Sequence, residues 1–201
     1  MCQDMSPLEK AVQFHGHICP GLLRGVRVAE FAQHYLGINR DEDEEVVAVV
    51  ENDACGVDAI QAILGCTFGK GNLIFKDYGK QVYTIISRDQ NRAVRIAEKF
   101  GAFGGPEFSR FRELANKKDL SDEELLEKER LQALVFESIM TRPFEEMFAY
   151  REVEPVVPPR AVIAKSVLCA RCEEAVMETR ATHTVQGWLC RECLTANLPE
   201  D

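Results

Sequence analysis

Residues 46–65 read VVAVVENDACGVDAIQAILG. The opening run from Val46 to Val50 is apolar without a break and stops near Glu51. An unbroken run of strand length predicts a strand buried on both faces, since a half-wet strand alternates. After Cys55 the apolar residues Val57, Ile60, Ile63 and Leu64 predict an amphipathic helix, closed by Gly65. Cys55 therefore falls between a buried strand and a helix, where backbone amides and a helix dipole favour a thiolate. Asp53 lies two residues before it, and Asp58 one turn into the helix.

Upstream, the apolar residues from Leu22 to Leu36 recur at helical spacing, with Pro20 suited to the first turn and Gly37 to the stop. That leaves Cys19 at or next to the N-cap. In front of it stands FHGHICPG, residues 14–21. Were this segment extended, His15, His17 and Cys19 would share one face. His17, Cys19 and Cys55 would then hold a metal with one open position, while Asp53 or His15 serves as base or support. The competing reading makes the same residues polar groups hydrogen-bonded within the fold.

Downstream, GCTFGKGN at 65–72 brings Cys66 and Lys70. One helix cannot deliver Cys55 and Cys66 to one ion, because eleven residues advance the chain by ~16 Å. Cys66 is expected to be a packed thiol or to belong with Lys70 in another part of a cofactor pocket. The glycines permit close approach to an anion, but the GxxxxGK[ST] spacing of a phosphate loop is absent. Two β-rich runs, Leu73–Phe75 and Val82–Ile86, flank Asp77-Tyr78-Gly79 and predict a hairpin. RAVRIA at 92–97 fits a strand or a helix start. LSDEELLEKERLQALVFESIMTRP predicts a helix with a Ser121/Glu124 capping box, ended by Pro143.

EPVVPPR, residues 154–160, begins a proline-rich linker, so the expected division is 1–153, a linker at 154–165, and a module at 166–201. That module holds CARC and CREC, with Cys169, Cys172, Cys190 and Cys193 as two CxxC pairs. Four thiolates at this spacing match a closed, structural zinc site. Its size is below what apolar burial alone usually stabilises, so metal supplies the folding energy. His183 is expected at the surface. Redox CxxC pairs are the competing reading, but no thioredoxin-like strand–helix context precedes either one. The module is acidic and the whole chain carries a formal net charge of −9, which argues against nucleic acid and against an anionic membrane surface. Met1–Glu9 is polar and acidic, and no apolar run reaches the length of a membrane span. A cytoplasmic protein is expected.

FHGHICPGLLRGVRVAEFA, ENDACGVDAIQAILGCTFGKGNLIFKDYGK and RAVRI closely resemble the FmdE family, named for a component of tungsten/molybdenum formylmethanofuran dehydrogenase. Members with a C-terminal treble-clef finger are similar from end to end. The resemblance implies an α+β core with a mixed sheet and flanking helices, a homodimer, and a cleft holding His15, His17, Cys19, Asp53 and Cys55, with Cys66 and Lys70 near. In that enzyme the pterin-bound metal and the iron–sulfur clusters belong to other subunits, and this chain has no ferredoxin-type cysteine run. Three roles follow. They are a metal-dependent one-carbon or redox role at the cleft with an unknown small-molecule ligand, an adaptor or metal donor for a larger oxidoreductase, and a regulatory zinc-finger protein, which the acidic finger disfavours.

Overall fold

The computed structural model describes residues 5–196, so Cys2 and the acidic residues Glu200 and Asp201 lie outside the described residues. The chain divides into two compact units, one reaching to Arg160 and one beginning at Ala161. Among the described residues no helix is long and apolar enough to cross a membrane.

The first unit opens with α1 (Pro7–His15), capped by a reciprocal Ser6/Glu9 box, and α2 (Pro20–Leu36), which ends at Gly37 with φ 62°. β1 (Val46–Val50) follows, and then a short α3 (Gly56–Ala59) that widens into a π turn over Ile60–Leu64. Gly65 closes that segment at φ 76°, a conformation a side chain resists. β2 (Leu73–Phe75), β3 (Val82–Ser87) and β4 (Arg92–Glu98) come next, so the ambiguous 92–97 run is a strand. Helices α4 (Pro106–Asn116), α5 (Asp122–Thr141) and the single turn α6 (Phe144–Met147) lead into β5 (Phe148–Val153). The predicted Ser121/Glu124 box caps α5, with Glu124 N–H donating to Ser121 Oγ at 3.2 Å.

The result is an α+β unit around a five-stranded mixed sheet in the order β2-β1-β3-β4-β5. β1 lies inside the sheet, and its position explains its composition. Val46, Ala48 and Val50 join the main core with Tyr83, Ile85, Val94, Ile96 and buried residues of α2, while Val47 on the other face clusters with Ile86 and Ala93. Both faces are covered, so no alternation survives in the sequence.

The expected hairpin between β2 and β3 does not form. β2 pairs parallel to β1 (Ala48 opposite Leu73) and β3 pairs antiparallel to β1 (Ala48 opposite Ile85), so β1 lies between them. The intervening loop is tied to the end of β1 instead of closing a turn: Lys76 N–H donates to Val50 O and Lys80 N–H to Glu51 O, both at 2.9 Å. The true hairpin joins β3 to β4, with Asn91 at φ 49° in its turn.

The second unit is built from β6 (Ser166–Leu168) paired with β7 (Ala175–Met177), β8 (Ala181–Thr184) paired with β9 (Gly187–Cys190), and the short α7 (Arg191–Thr195). Gly187 sits at φ 106° in the second turn.

Candidate metal centres

Two groups of ligand-type side chains converge among the described residues. The first is the set Cys169, Cys172, Cys190 and Cys193, whose sulfurs all lie within 4.8 Å of one another. Cys169 and Cys172 lie in the turn between β6 and β7, Cys190 ends β9, and Cys193 stands in the first turn of α7. Cys172 Sγ and Cys190 Sγ are 4.0 Å apart, near the edge of ~3.8 Å expected for thiolates tetrahedrally placed at ~2.3 Å from zinc. Backbone amides point at the sulfurs: Cys190 N–H donates to Cys169 Sγ and Cys193 N–H to Cys190 Sγ, each at 3.4 Å. Such amides, those of Cys172, Cys190 and Arg171, hold the Cys169 thiol down at about 6. Cys193, which shares its proton within the cluster with Cys190 and is partly desolvated, is pushed up to about 12. One easily ionised sulfur and one reluctant one are what four thiols crowded within hydrogen-bond reach of one another show, because ionising the first opposes ionising the next. The donor set fits a divalent, sulfur-seeking ion. His183 is exposed and stacks edge-on against Trp188 at 4.9 Å, outside the set.

The second group is His15, His17 and Cys19, again with ligand atoms within 4.8 Å. The segment is not extended, as the alternation argument required. His15 ends α1, Gly16 turns the chain at φ 91°, and Cys19 caps α2, its Sγ accepting Leu22 N–H at 3.3 Å. A helix end and a helix start deliver the three side chains to one place.

Asp58 organises them. His15 Nδ1 lies 2.7 Å from Asp58 Oδ2, and His15 Nε2 lies 3.8 Å from Cys19 Sγ. An ionised carboxylate only accepts, so Nδ1 carries a ring proton, and in the neutral ring Nε2 presents its lone pair toward Cys19. The 3.8 Å separation is close to the ~3.6 Å between a nitrogen and a sulfur bound to one tetrahedral zinc. His17 stacks beside His15 with ring centroids 4.5 Å apart. Carboxylate, imidazole and thiol in line form the orienting arrangement that metal-binding histidines use.

Cys55 is not in the compact set but touches it. A Cβ built on Gly21 would meet Cys55 Cβ at 3.1 Å, Cys55 Sγ at 3.7 Å and Cys19 Sγ at 3.8 Å, so the two thiols face each other across Gly21. The contact depends on glycine. Gly21 and Gly25 lie one turn apart on α2, and a Cβ on Gly25 would fall 2.3 Å from Gly56 O. Gly25, in the helix interior, costs ~1 kcal/mol of helix propensity, offset here by the backbone-to-backbone approach of Gly56. The expected low-pKa thiolate at Cys55 is not found. Burial, then the hydrogen bond with Cys19, push the Cys55 thiol up, and Cys55 makes no side-chain cap bond to the helix that follows. Asp53 is exposed in the turn before Cys55.

Cys66 and Lys70 serve a different structure. Cys66 is fully buried, donates to Val46 O at 3.5 Å, and burial pushes its thiol up to about 12. Lys70 pairs with the buried Asp41, whose carboxylate also accepts from Val46 N–H at 2.8 Å, Glu44 N–H at 3.0 Å and Asn72 Nδ2 at 2.8 Å. The buried charge is thus paired and hydrogen-bonded. This network pins the glycine loop to the start of β1.

The residue that spacing alone undervalues is Asp58. Its one sequence signal is its place three residues after Cys55, one helical turn on.

The sequence model of the family described as "FmdE, Molybdenum formylmethanofuran dehydrogenase operon" matches residues 14–149. The chain belongs to the FmdE family. The matched region contains His15, His17, Cys19, Cys55 and Asp58 and stops before the four-cysteine unit. The chain is also 32% identical, over 195 residues and 92% of its length, to a probable S-adenosyl-L-methionine-binding protein of Archaeoglobus fulgidus. It spans about half of that relative, 52% of its length. Among solved structures it resembles a tungsten formylmethanofuran dehydrogenase FmdE-like protein from Syntrophus aciditrophicus, with a TM-score of 0.61 and 24% identity. That likeness covers 96% of this chain and 92% of the other, and concerns the fold.

Proposed function

We propose that this FmdE-family chain is a metal-dependent protein with two metal sites of different purpose. In this reading Cys169, Cys172, Cys190 and Cys193 hold a structural zinc. His15 Nε2, His17 and Cys19 Sγ hold a second, working ion for one-carbon or redox chemistry on a small molecule. The observation that supports the second site best is the line Asp58–His15–Cys19, which costs the fold a partly buried carboxylate–imidazole pair and gives the core nothing obvious in return. Two imidazoles and one thiolate suit zinc, iron, nickel or copper. An ion held by three protein donors would supply Lewis-acid polarisation of a substrate oxygen. The protein's own part is to fix the donors. Asp58 sets the His15 tautomer, Gly21 lets Cys55 reach Cys19, and Cys55 stands ready as a fourth donor or as a proton carrier beside the open side.

A second reading, an adaptor or metal-donor subunit of a larger molybdenum or tungsten oxidoreductase, draws support from the operon association in the family's description. A homodimer and a cytoplasmic setting fit either reading.

Cobalt separates them. Full-length protein loaded with Co2+ is expected to show d–d bands from both sites. Bands lost on His17→Ala/Cys19→Ala should be those that shift when a small exogenous ligand such as cyanide is added. A closed second site that ignores the ligand favours the metal-donor reading, and no cobalt at His17 and Cys19 removes the catalytic one.

A further inference from the structure

Positive charge in this acidic chain gathers around one cavity. About 650 Å3 of space opens beside β3 and β4, lined by Arg24, Lys80, Arg95, Lys99 and Arg112. Glu98 is the one carboxylate in its lining, although the whole chain carries a formal net charge of −9. Glu98 pairs with Arg24 at 2.9 Å, and Arg95 pairs with Glu51 at 3.2 Å. Lys80 and Arg112 enter no ion pair among the described residues. Lys80 instead lies over the Tyr78 ring, its Nζ 5.8 Å from the centroid. With Arg24 and Arg95 paired to Glu98 and Glu51, Lys80, Lys99 and Arg112 leave a positive surplus among the described residues of this concave space, where field lines concentrate.

The cavity also has an apolar wall. Phe103 is 7% exposed beneath the Arg24 guanidinium, which stands 4.9 Å from its ring centroid. Phe100 is fully exposed at the rim.

The walls of this cavity carry the loop that bears Cys55. Asn52 Nδ2 donates to Lys80 O at 2.9 Å, and Asn52 Oδ1 accepts Ala54 N–H at 3.1 Å, one residue before Cys55. Tyr83 hydroxyl donates to Gln81 of the cavity lining at 3.2 Å and stands 2.5 Å from where a Cβ on Gly56 would be. Its proton is held to about 12, mainly by burial. A ligand in the cavity would therefore contact Lys80 and Gln81, at the strand end that also holds the Cys55 loop through Asn52.

We propose that this cavity binds a small, multiply charged organic anion, its phosphate or carboxylate groups on Lys80 and Arg112 and its body against Phe100 and Phe103. Guanidinium and ammonium groups are the donors that recognise such anions. The anion's role as substrate or cofactor rests on the metal-dependent reading given above; its binding does not.

Calorimetric titration of the full-length protein with pyrophosphate and with citrate tests the site. One saturable site is expected, at least tenfold weaker in Lys80→Glu/Arg112→Glu and unchanged in Lys118→Glu/Lys128→Glu, which makes the same charge change away from the cavity. Preference for pyrophosphate marks a phosphate ligand, and preference for citrate a polycarboxylate. Absence of saturable binding by either probe overturns the proposal, as does equal weakening by both charge reversals. His17→Ala/Cys19→Ala should leave the anion bound. If that variant abolishes binding, the anion sat on a metal and the cavity is not its site. Anion binding by unsubstituted protein that carries no metal at His17 and Cys19 even after metal is supplied would instead sink only the metal-dependent reading.

Discussion

The two metal-capable groups are built in opposite ways. The four cysteines come from one stretch, Cys169 to Cys193, and small hairpins bring them together. Their unit buries little: only Cys169, Leu189 and Cys193 form its core among the described residues. Two of those three residues belong to the cysteine set, so core and candidate metal site coincide. The His15 group is assembled by tertiary packing instead. Asp58 reaches His15 from 43 residues away, on a segment locked by the Gly25–Gly56 approach and backed by a large apolar core. A site that is its own core should fall with its metal, whereas a site laid on a finished core should not.

The largest effect expected from that contrast is chelation of the full-length protein. Amides from Ser166 to Thr195 should lose their hydrogen-exchange protection, while those of β1, β3 and β4 keep theirs. A finger still protected after complete metal removal would break the contrast, since small zinc units draw their folding energy from the ion.

Next comes Gly25→Ala. With Gly56 O only 2.3 Å from the new Cβ, α2 and α3 must part, at a cost of about 1–3 kcal/mol in urea unfolding. The separation should also move Cys55 from Cys19, readable as a slower disulfide between them under mild oxidant. An unchanged midpoint would show that the helices have room to spare.

Asp58→Ala sharpens the comparison from the other side. It should lower metal affinity at His15, His17 and Cys19 by roughly 10–100-fold without touching the four-cysteine unit. Equal losses at both sites, in a competition titration with a coloured chelator, would mean that the variant had damaged the fold rather than the histidine.

The smallest effect concerns Cys66. Fully buried and with its thiol pushed up to about 12, it stays protonated and shielded through neutral and mildly alkaline pH. Iodoacetamide at mildly alkaline pH should leave it unlabelled in native protein and modify it only after unfolding, as peptide mass spectrometry would show. Rapid native labelling would mean that the Asp41 network is loose.

How much of this was legible in the sequence follows from the same contrast. The cysteine unit could be read from spacing, because its geometry is local. The bounds of α2, the buried strand β1 and the cap of α5 were legible for the same reason: Pro20, Gly37 and Ser121 act within a turn of themselves. The pairing of β2 was not, since the Asp77-Tyr78-Gly79 signal describes a turn and not which strand edge is free. His15 could be seen as a candidate, but its geometry could not. Alternation along an extended chain gave the right three neighbours for the wrong reason, because Gly16 bends the segment. Asp58 became meaningful only when the glycine contacts of α2 and α3 placed it against His15. The expected Cys55 thiolate failed because burial and the neighbouring Cys19 thiol both oppose ionisation, and neither is visible in the local sequence.

Metal counting by mass spectrometry on anaerobically purified full-length protein tests the central claim most directly. The account predicts about two ions per chain, and about one after His17→Ala/Cys19→Ala with the four cysteines intact. A full-length protein with a single ion that the double substitution leaves in place would contradict it, and the His15–Asp58 line would then be a hydrogen bond of the fold.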